Sequence, residues 1–120
     1  MKTITIDGVE YVPASALKAV PAKPLKGMKY VIVRTYSAGV FAGYLEKRNG
    51  MEVILRDARR LWYWTGAASI SQLAVEGVKK PSECKFAMEV DKLEVTQAIE
   101  IIEATKAAQD CIADVPVWKV

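Results

Sequence analysis

Histidine is missing from all 120 residues of this chain. With it goes the commonest general base near neutral pH, the usual partner of a nucleophilic serine or cysteine, and the commonest metal ligand. Cysteine is scarce: Cys84 and Cys111 stand alone, without C-x-x-C spacing, and read as half-buried thiols of a reducing compartment. The carboxylates Glu46, Glu52, Asp57, Glu89, Asp91, Glu94, Glu100, Glu103 and Asp110 show no spacing that singles out an acid–base pair and read as solvated charge. Neither G-x-x-x-x-G-K-[ST] nor G-x-G-x-x-G occurs, which argues against an ATPase and a dinucleotide dehydrogenase. No apolar run approaches the roughly 20 residues that span a bilayer, and the opening MKTITIDG lacks the apolar stretch of a signal peptide. Together these absences predict a cytoplasmic protein that is not an enzyme, needs no cofactor or metal, and does not meet a membrane.

What is present fits one globular unit. Hydrophobic residues make up 52%, charged residues 26%, and the net charge is +3. That basic excess is small for a protein that tracks a phosphate backbone, so it argues against nucleic acid as a partner and sits more easily with a small anionic ligand. The alternation on both sides of Asp7-Gly8 predicts a hairpin over Thr3–Val12. Pro13, Pro21 and Pro24 then mark a linker to Gly27, with one helical turn around Ala14 to Val20. Residues 1–27 are thus an appendage of hairpin and linker, and 28–120 a single β-rich ligand-binding domain.

Within that domain Lys29–Tyr36 is rich in β-branched and aromatic residues and reads as a strand closed by Ser37-Ala38-Gly39. Val40–Lys47 and Met51–Arg56 follow as strands around the turn Arg48-Asn49-Gly50, and Asp57-Ala58 bends the chain before Arg59–Trp64, completing an antiparallel meander. Ala67–Gly77 shifts to helical spacing, with Gly77 placed to end it. Lys85–Val90 and Lys92–Ile102 read as strands, although propensity alone allows a helix over Thr96–Glu103. Thr105 caps a last helix that runs to Asp114 and stops at Pro116, ahead of the tail Val117-Trp118-Lys119-Val120. The fold class is α+β: one curved antiparallel β-sheet with two short α-helices.

Interaction chemistry concentrates in Arg59-Arg60-Leu61-Trp62-Tyr63-Trp64. Strand alternation puts Arg60, Trp62 and Trp64 on one face and Arg59, Leu61 and Tyr63 on the other, so each face carries a guanidinium and aromatic surface. Guanidinium forks suit phosphate oxygens and aromatic planes stack on bases. Residue chemistry alone favours reading the same residues as core tryptophans with arginines snorkelling at the edge. In Ser37-Ala38-Gly39 small side chains let backbone amides approach an anion, or simply make a hairpin turn. Phe86, a lone aromatic, is by itself ordinary core.

The stretches Arg34–Gly43, Ala58–Trp64 and Gly66–Ala74 together resemble phage proteins of the Thoeris anti-defence type one family, over roughly Met28 to Trp118. The resemblance implies a homodimer of β-sheet domains, assembling further as a hexamer built as a trimer of dimers. It implies a sponge for cyclic nucleotide immune signals in the infected bacterial host, binding cyclic ADP-ribose isomers or cyclic oligonucleotides without cleaving them. Carried over, Ser37, Ala38, Gly39 and Arg59 would grip the cyclic oligonucleotide. Phe86 would stack on the ADP-ribose isomer, with Thr96 or Gln97 as its polar contact. Near the C-terminal helix, where the family uses charged residues, this chain has Gln109, Asp110, Ala113 and Asp114 and no arginine, a departure that weakens the ADP-ribose assignment. Two other classes fit the same residues: a nucleic-acid-binding accessory module, and a structural protein whose tryptophans pack an oligomer interface.

Overall fold

The β-branched runs of the domain meet side by side in a sheet whose two faces are both covered. In a computed structural model, the residues described are 20–120, together with the backbone of two short strands, β1 (Ile4–Ile6) and β2 (Val9–Tyr11). These two pair antiparallel with Ile6 opposite Val9, the hairpin expected about Asp7-Gly8. The helical turn expected around Ala14 to Val20 lies outside the described residues, apart from Val20 itself.

The main sheet has six strands, antiparallel throughout and not closed: β3 (Tyr30–Thr35), β4 (Val40–Asn49), β5 (Glu52–Tyr63), β6 (Lys85–Phe86), β7 (Val90–Val95) and β8 (Ala98–Glu103). Its helices are α1 (Ile70–Glu76) and α2 (Lys106–Asp114). The α+β class therefore stands, with the curved sheet and two helices read from the sequence. Strands β3, β4 and β5 form the expected meander, but three details differ. The chain does not break at Asp57-Ala58: β5 runs through as one strand with an extra residue opposite β4, and Asp57 takes a left-handed φ of 48°. Lys85–Val90 is not one strand, since β6 ends at Phe86 and Val90 already opens β7. Lys92–Ile102 is two strands, divided by a turn at Thr96-Gln97.

That turn shapes the whole sheet. β7 pairs with β5 on one side of the meander, while β8 pairs with β3 on the other, Val31 opposite Glu103 and Thr35 opposite Ala98. Two residues thus connect opposite edges, so the sheet must curl. The curl is pinned where the Ala98 amide donates to the Met51 carbonyl at 3.0 Å, across from the β4–β5 turn. Gly43 helps: a Cβ there would lie 3.0 Å from the Arg56 carbonyl oxygen and 3.1 Å from Ala58 Cα, so only glycine lets β4 and β5 approach this closely where the register shifts.

Period-two alternation then separates two cores. Val31, Val33, Phe41, Val53, Leu55, Ala58, Val95 and Ala98 fill the concave side of the curl. Tyr30, Ile32, Ala42 and Leu61 point the other way, against Leu73 and Ala74 of α1 and Ala108 and Ile112 of α2. Each fully buried side chain of this size contributes about 1.5–3 kcal/mol. Both helices have hydroxyl caps, Ser69 accepting from the Gln72 amide and Thr105 from that of Ala108. Residues from Val20 onward are tied to the body: the Ala22 amide donates to Ala104, and Gln109 bonds both the amide and the carbonyl of Lys23.

Candidate functional site

The extra residue at Asp57 resets the alternation of β5. Before it, Val53 and Leu55 face the concave side; after it, Ala58, Arg60 and Trp62 do, and Arg59 and Leu61 turn toward the helices. The two adjacent arginines consequently have opposite environments.

Arg59 is 5% exposed. Its Nε donates to the Ala87 carbonyl (2.9 Å), Nη1 to those of Ile112 (2.7 Å) and Val115 (3.0 Å), and Nη2 to that of Phe86 (3.1 Å). Burial lowers its pKa, opposed by the nearby Tyr30 and Glu89, but a guanidinium starts so high that it stays cationic. Its guanidinium carbon lies 5.5 Å from the centre of the Phe86 ring, itself 0% exposed. Arg59 and Phe86, expected to grip phosphate and stack on a ligand, are instead spent inside the domain. The arginine closes the carbonyl end of α2, where positive charge is favoured, and clasps it to β6. The ring lies in the core beneath it.

The other expected residues do come together, around Arg60. In the β3–β4 loop, Thr35 Oγ1 donates to the Gly39 carbonyl (2.7 Å) and accepts from the Ala38 amide (2.9 Å), with Gly39 at a φ of +98°. Across the curl the β7–β8 turn meets this loop: Ser37 Oγ donates to Gln97 Oε1 (2.7 Å), and the Tyr36 amide donates to the Gln97 carbonyl (3.0 Å). Two adjoining clefts result. One, of about 220 Å³, lies among Ser37, Ala38, Gly39, Arg60 and Trp62. The other, of about 110 Å³, lies among Thr35, Ala38, Arg60, Glu94, Thr96 and Gln97. They share Ala38 and Arg60, and sit at the open end of the curl.

Arg60 is exposed, its guanidinium carbon 4.8 Å from the centre of the Phe41 ring. Among the described residues it forms no ion pair, unlike Arg34, held by Glu100, and Arg56, held by Glu46 and Asp91. A free guanidinium resting on an aromatic face is oriented toward an incoming anion without first breaking a salt bridge. Glu94 lines the second cleft and opposes negative charge there. Trp62, 63% exposed, supplies a flat apolar surface beside the guanidinium. A larger concavity of about 520 Å³ runs between Arg48, Met51, Ile99 and Glu100. Its charges are already engaged, Arg48 with the Gly50 carbonyl and Glu100 with Arg34, so it offers little to recognise a ligand.

Arg60 and Trp62 carried a signal in the sequence, the alternation about Leu61; only the knowledge that Leu61 faces the helices was needed to choose between the arginines. Among the described residues, no cluster of three or more cysteines or carboxylates could hold a metal, and no helix is long and apolar enough to cross a membrane.

Comparison with known proteins gives one relationship. No curated protein and no solved structure matches the chain. Residues 28–112, the sheet together with α1 and nearly all of α2, match a family described as a domain of unknown function, DUF6948, and the chain belongs to that family.

Proposed function

We propose that the protein is a binding protein for a cyclic nucleotide signal, taken up unchanged at the site formed by the 35–39 loop, Arg60, Trp62 and the Thr96-Gln97 turn. The observation that carries this reading is Arg60: exposed, held over Phe41, free of any ion pair among the described residues, and flanked by an exposed tryptophan and a loop of small residues. The Ala38 and Tyr36 amides are used within the fold, leaving those of Ser37 and Gly39 for an anion. Each cleft alone is smaller than the few hundred Å³ of a usual ligand pocket. Together, and with a second copy placed against them, they suit one base and its phosphate. This is sequestration of cyclic ADP-ribose isomers or cyclic oligonucleotides by a homodimer or trimer of dimers, as the resemblance to the Thoeris anti-defence type one family implies, in the cytoplasm of an infected bacterium. A chain without histidine, whose site holds a single carboxylate at Glu94, is suited to holding a phosphodiester rather than cleaving it.

Calorimetric titration with cyclic di- and trinucleotides and cyclic ADP-ribose isomers tests the reading. Binding that Arg60→Ala weakens about 10-fold or more supports it, a charge-assisted contact to phosphate being worth roughly 1.5–3 kcal/mol; recovery of a linear product refutes it. Silence across the panel, with salt-sensitive binding of single-stranded oligonucleotides, moves the function to nucleic acid.

A further inference from the structure

The strands that end the sheet are finished in different ways. β6 has the C-terminal tail alongside, bridged through Val117. β7 pairs with β5 alone, but three of its six residues, Asp91, Lys92 and Glu94, are charged, a usual guard of an open edge against further pairing. β8, at the other end of the sheet, pairs with β3 alone and carries Ile99, Ile101 and Ile102, with Ile99 45% exposed. Its two charges, Glu100 and Glu103, are each held by a cation of the same chain, Arg34 and Lys29.

The backbone of β8 shows which of its groups are open. The Ala104 amide donates to the Tyr30 carbonyl at 3.0 Å, so Glu100, Ile102 and Ala104 turn their backbone groups toward β3, while Ile101 and Glu103 turn theirs away. Ile99 is an extra residue between Ala98, opposite Thr35, and Glu100, opposite Arg34, and stands outside the ladder. Both ends of this stretch are stopped: the Met51 carbonyl takes the Ala98 amide, and the Ala74 carbonyl of α1 takes the Thr105 amide. Between the stops, Ile99–Glu103 has no strand beside it among the described residues. The concavity of about 520 Å³ that includes Arg48 and Met51 runs along its first half. It has little to hold a small ligand, but an added strand would satisfy the free amides and carbonyls.

The edge is complementary to itself. Turned antiparallel about Ile101, it sets Ile101 opposite Ile101 and Ile99 opposite Glu103, so the groups that point away from β3 meet each other. The same rotation lays the Arg48–Met51 end of one copy against the Glu103 end of the other. Met51 there is 49% exposed, and Val75, beside the second stop, is exposed too. Arg48 gives its Nε to the Gly50 carbonyl and forms no ion pair among the described residues, which leaves its terminal nitrogens for a carboxylate. We infer that the protein pairs with a second copy of itself through the free edge of β8, about a two-fold axis at Ile101, with Arg48 of each copy facing Glu103 of the other. The inference rests on the homodimer in the reading above and assigns its face; it needs no nucleotide.

The test is sedimentation equilibrium of the full chain over a wide range of concentrations, without nucleotide, for the wild type, Ile99→Lys, Arg48→Glu and the double variant Arg48→Glu/Glu103→Arg. Far-ultraviolet circular dichroism checks that each is folded. The wild type should associate to twice 13.2 kDa or a multiple of it. Ile99→Lys places a charge on the open edge, and Arg48→Glu sets like charges together; the two-fold axis repeats each change, so each should weaken association by about 10-fold or more. The double variant restores opposite charges and should recover much of what Arg48→Glu loses. Should Ile99→Lys fail to fold, the exposed Arg48 and Glu103 variants still decide. A dimer that every variant forms as tightly as the wild type overturns this face alone, and so does a loss in Arg48→Glu that Glu103→Arg leaves unrepaired. A wild type that stays monomeric at every concentration overturns both this face and the homodimer, while nucleotide binding is judged separately by the titration of Arg60→Ala.

Discussion

Replacing Arg59 by alanine separates a structural from a ligand-binding role for that residue. The substitution deletes four hydrogen bonds from a charged donor to the carbonyls of Phe86, Ala87, Ile112 and Val115. Two acceptors keep another donor: the Phe86 carbonyl still receives the Trp118 amide, and that of Ile112 the Val115 amide. The Ala87 and Val115 carbonyls have no such reserve; that of Ala87 is part-buried, while that of Val115 is left buried without a donor, at a cost of about 1–3 kcal/mol. Relief from burying the guanidinium offsets part of the loss, because a buried cation is costly to desolvate. The net destabilisation is about 3–5 kcal/mol, a large share of the roughly 5–15 kcal/mol typical of a domain. For a chain of this size the melting temperature should fall by roughly 10–20 °C. Urea unfolding followed by tryptophan fluorescence and far-ultraviolet circular dichroism measures this directly. Arg59→Lys should recover only part, since an ammonium lacks the planar fork that reaches four carbonyls. A variant that keeps wild-type stability within about 0.5 kcal/mol while losing ligand would refute the reasoning and return Arg59 to the binding site.

Two further outcomes follow from the packing. Gly43→Ala should destabilise by about 1–3 kcal/mol, as overpacking does, because the new methyl meets the Arg56 carbonyl and Ala58 backbone at 3.0–3.1 Å; an unchanged urea midpoint would show that β4 and β5 can part without cost. Tyr30 is buried, and desolvation, reinforced by Tyr44, raises its pKa far above the ordinary tyrosine range. The unfolded chain releases this proton near pH 10 while the folded one retains it. The stability contribution is thus complete below that pH and declines above it by about 1.4 kcal/mol per unit for one proton. Tyr30→Phe should flatten that alkaline decline in pH-dependent urea titrations, and an equally steep decline in the variant would assign it to other groups.

The elements fixed by local chemistry were legible in the sequence. Thr105 and Pro116 bracket α2, the β-branched run from Tyr30 marks β3, and Asp7-Gly8 marks the first hairpin. What escaped depended on distant partners. Thr96-Gln97 carries no glycine, proline or asparagine, so the β-branched run from Leu93 to Ile102 hid its turn. Nothing local indicates that β8 returns to β3. The site was half legible for the same reason. Ser37, Ala38, Gly39, Thr96 and Gln97 converge as candidates, but the choice between Arg59 and Arg60 turned on which face of β5 meets α2. That is settled by packing across more than fifty residues of chain, from Arg59 to Ile112.

The return of β8 to β3 sets the order of events during folding. Strands β3, β4 and β5 are joined by short turns and can zip together as soon as they leave the ribosome, whereas the free side of β3 waits for Ala98–Glu103. Closing a loop of that length has a chain-entropy cost that is repaid only when β7 docks on β5 and carries β8 round to β3. Until then the nascent protein carries an unpaired edge at Val31–Val33, the most completely buried stretch of the finished sheet. Such an edge can recruit strands from other chains. Yield in the cell should therefore depend on how quickly the last third of the chain is delivered, and slow codons between β5 and β8 should favour aggregation over folding.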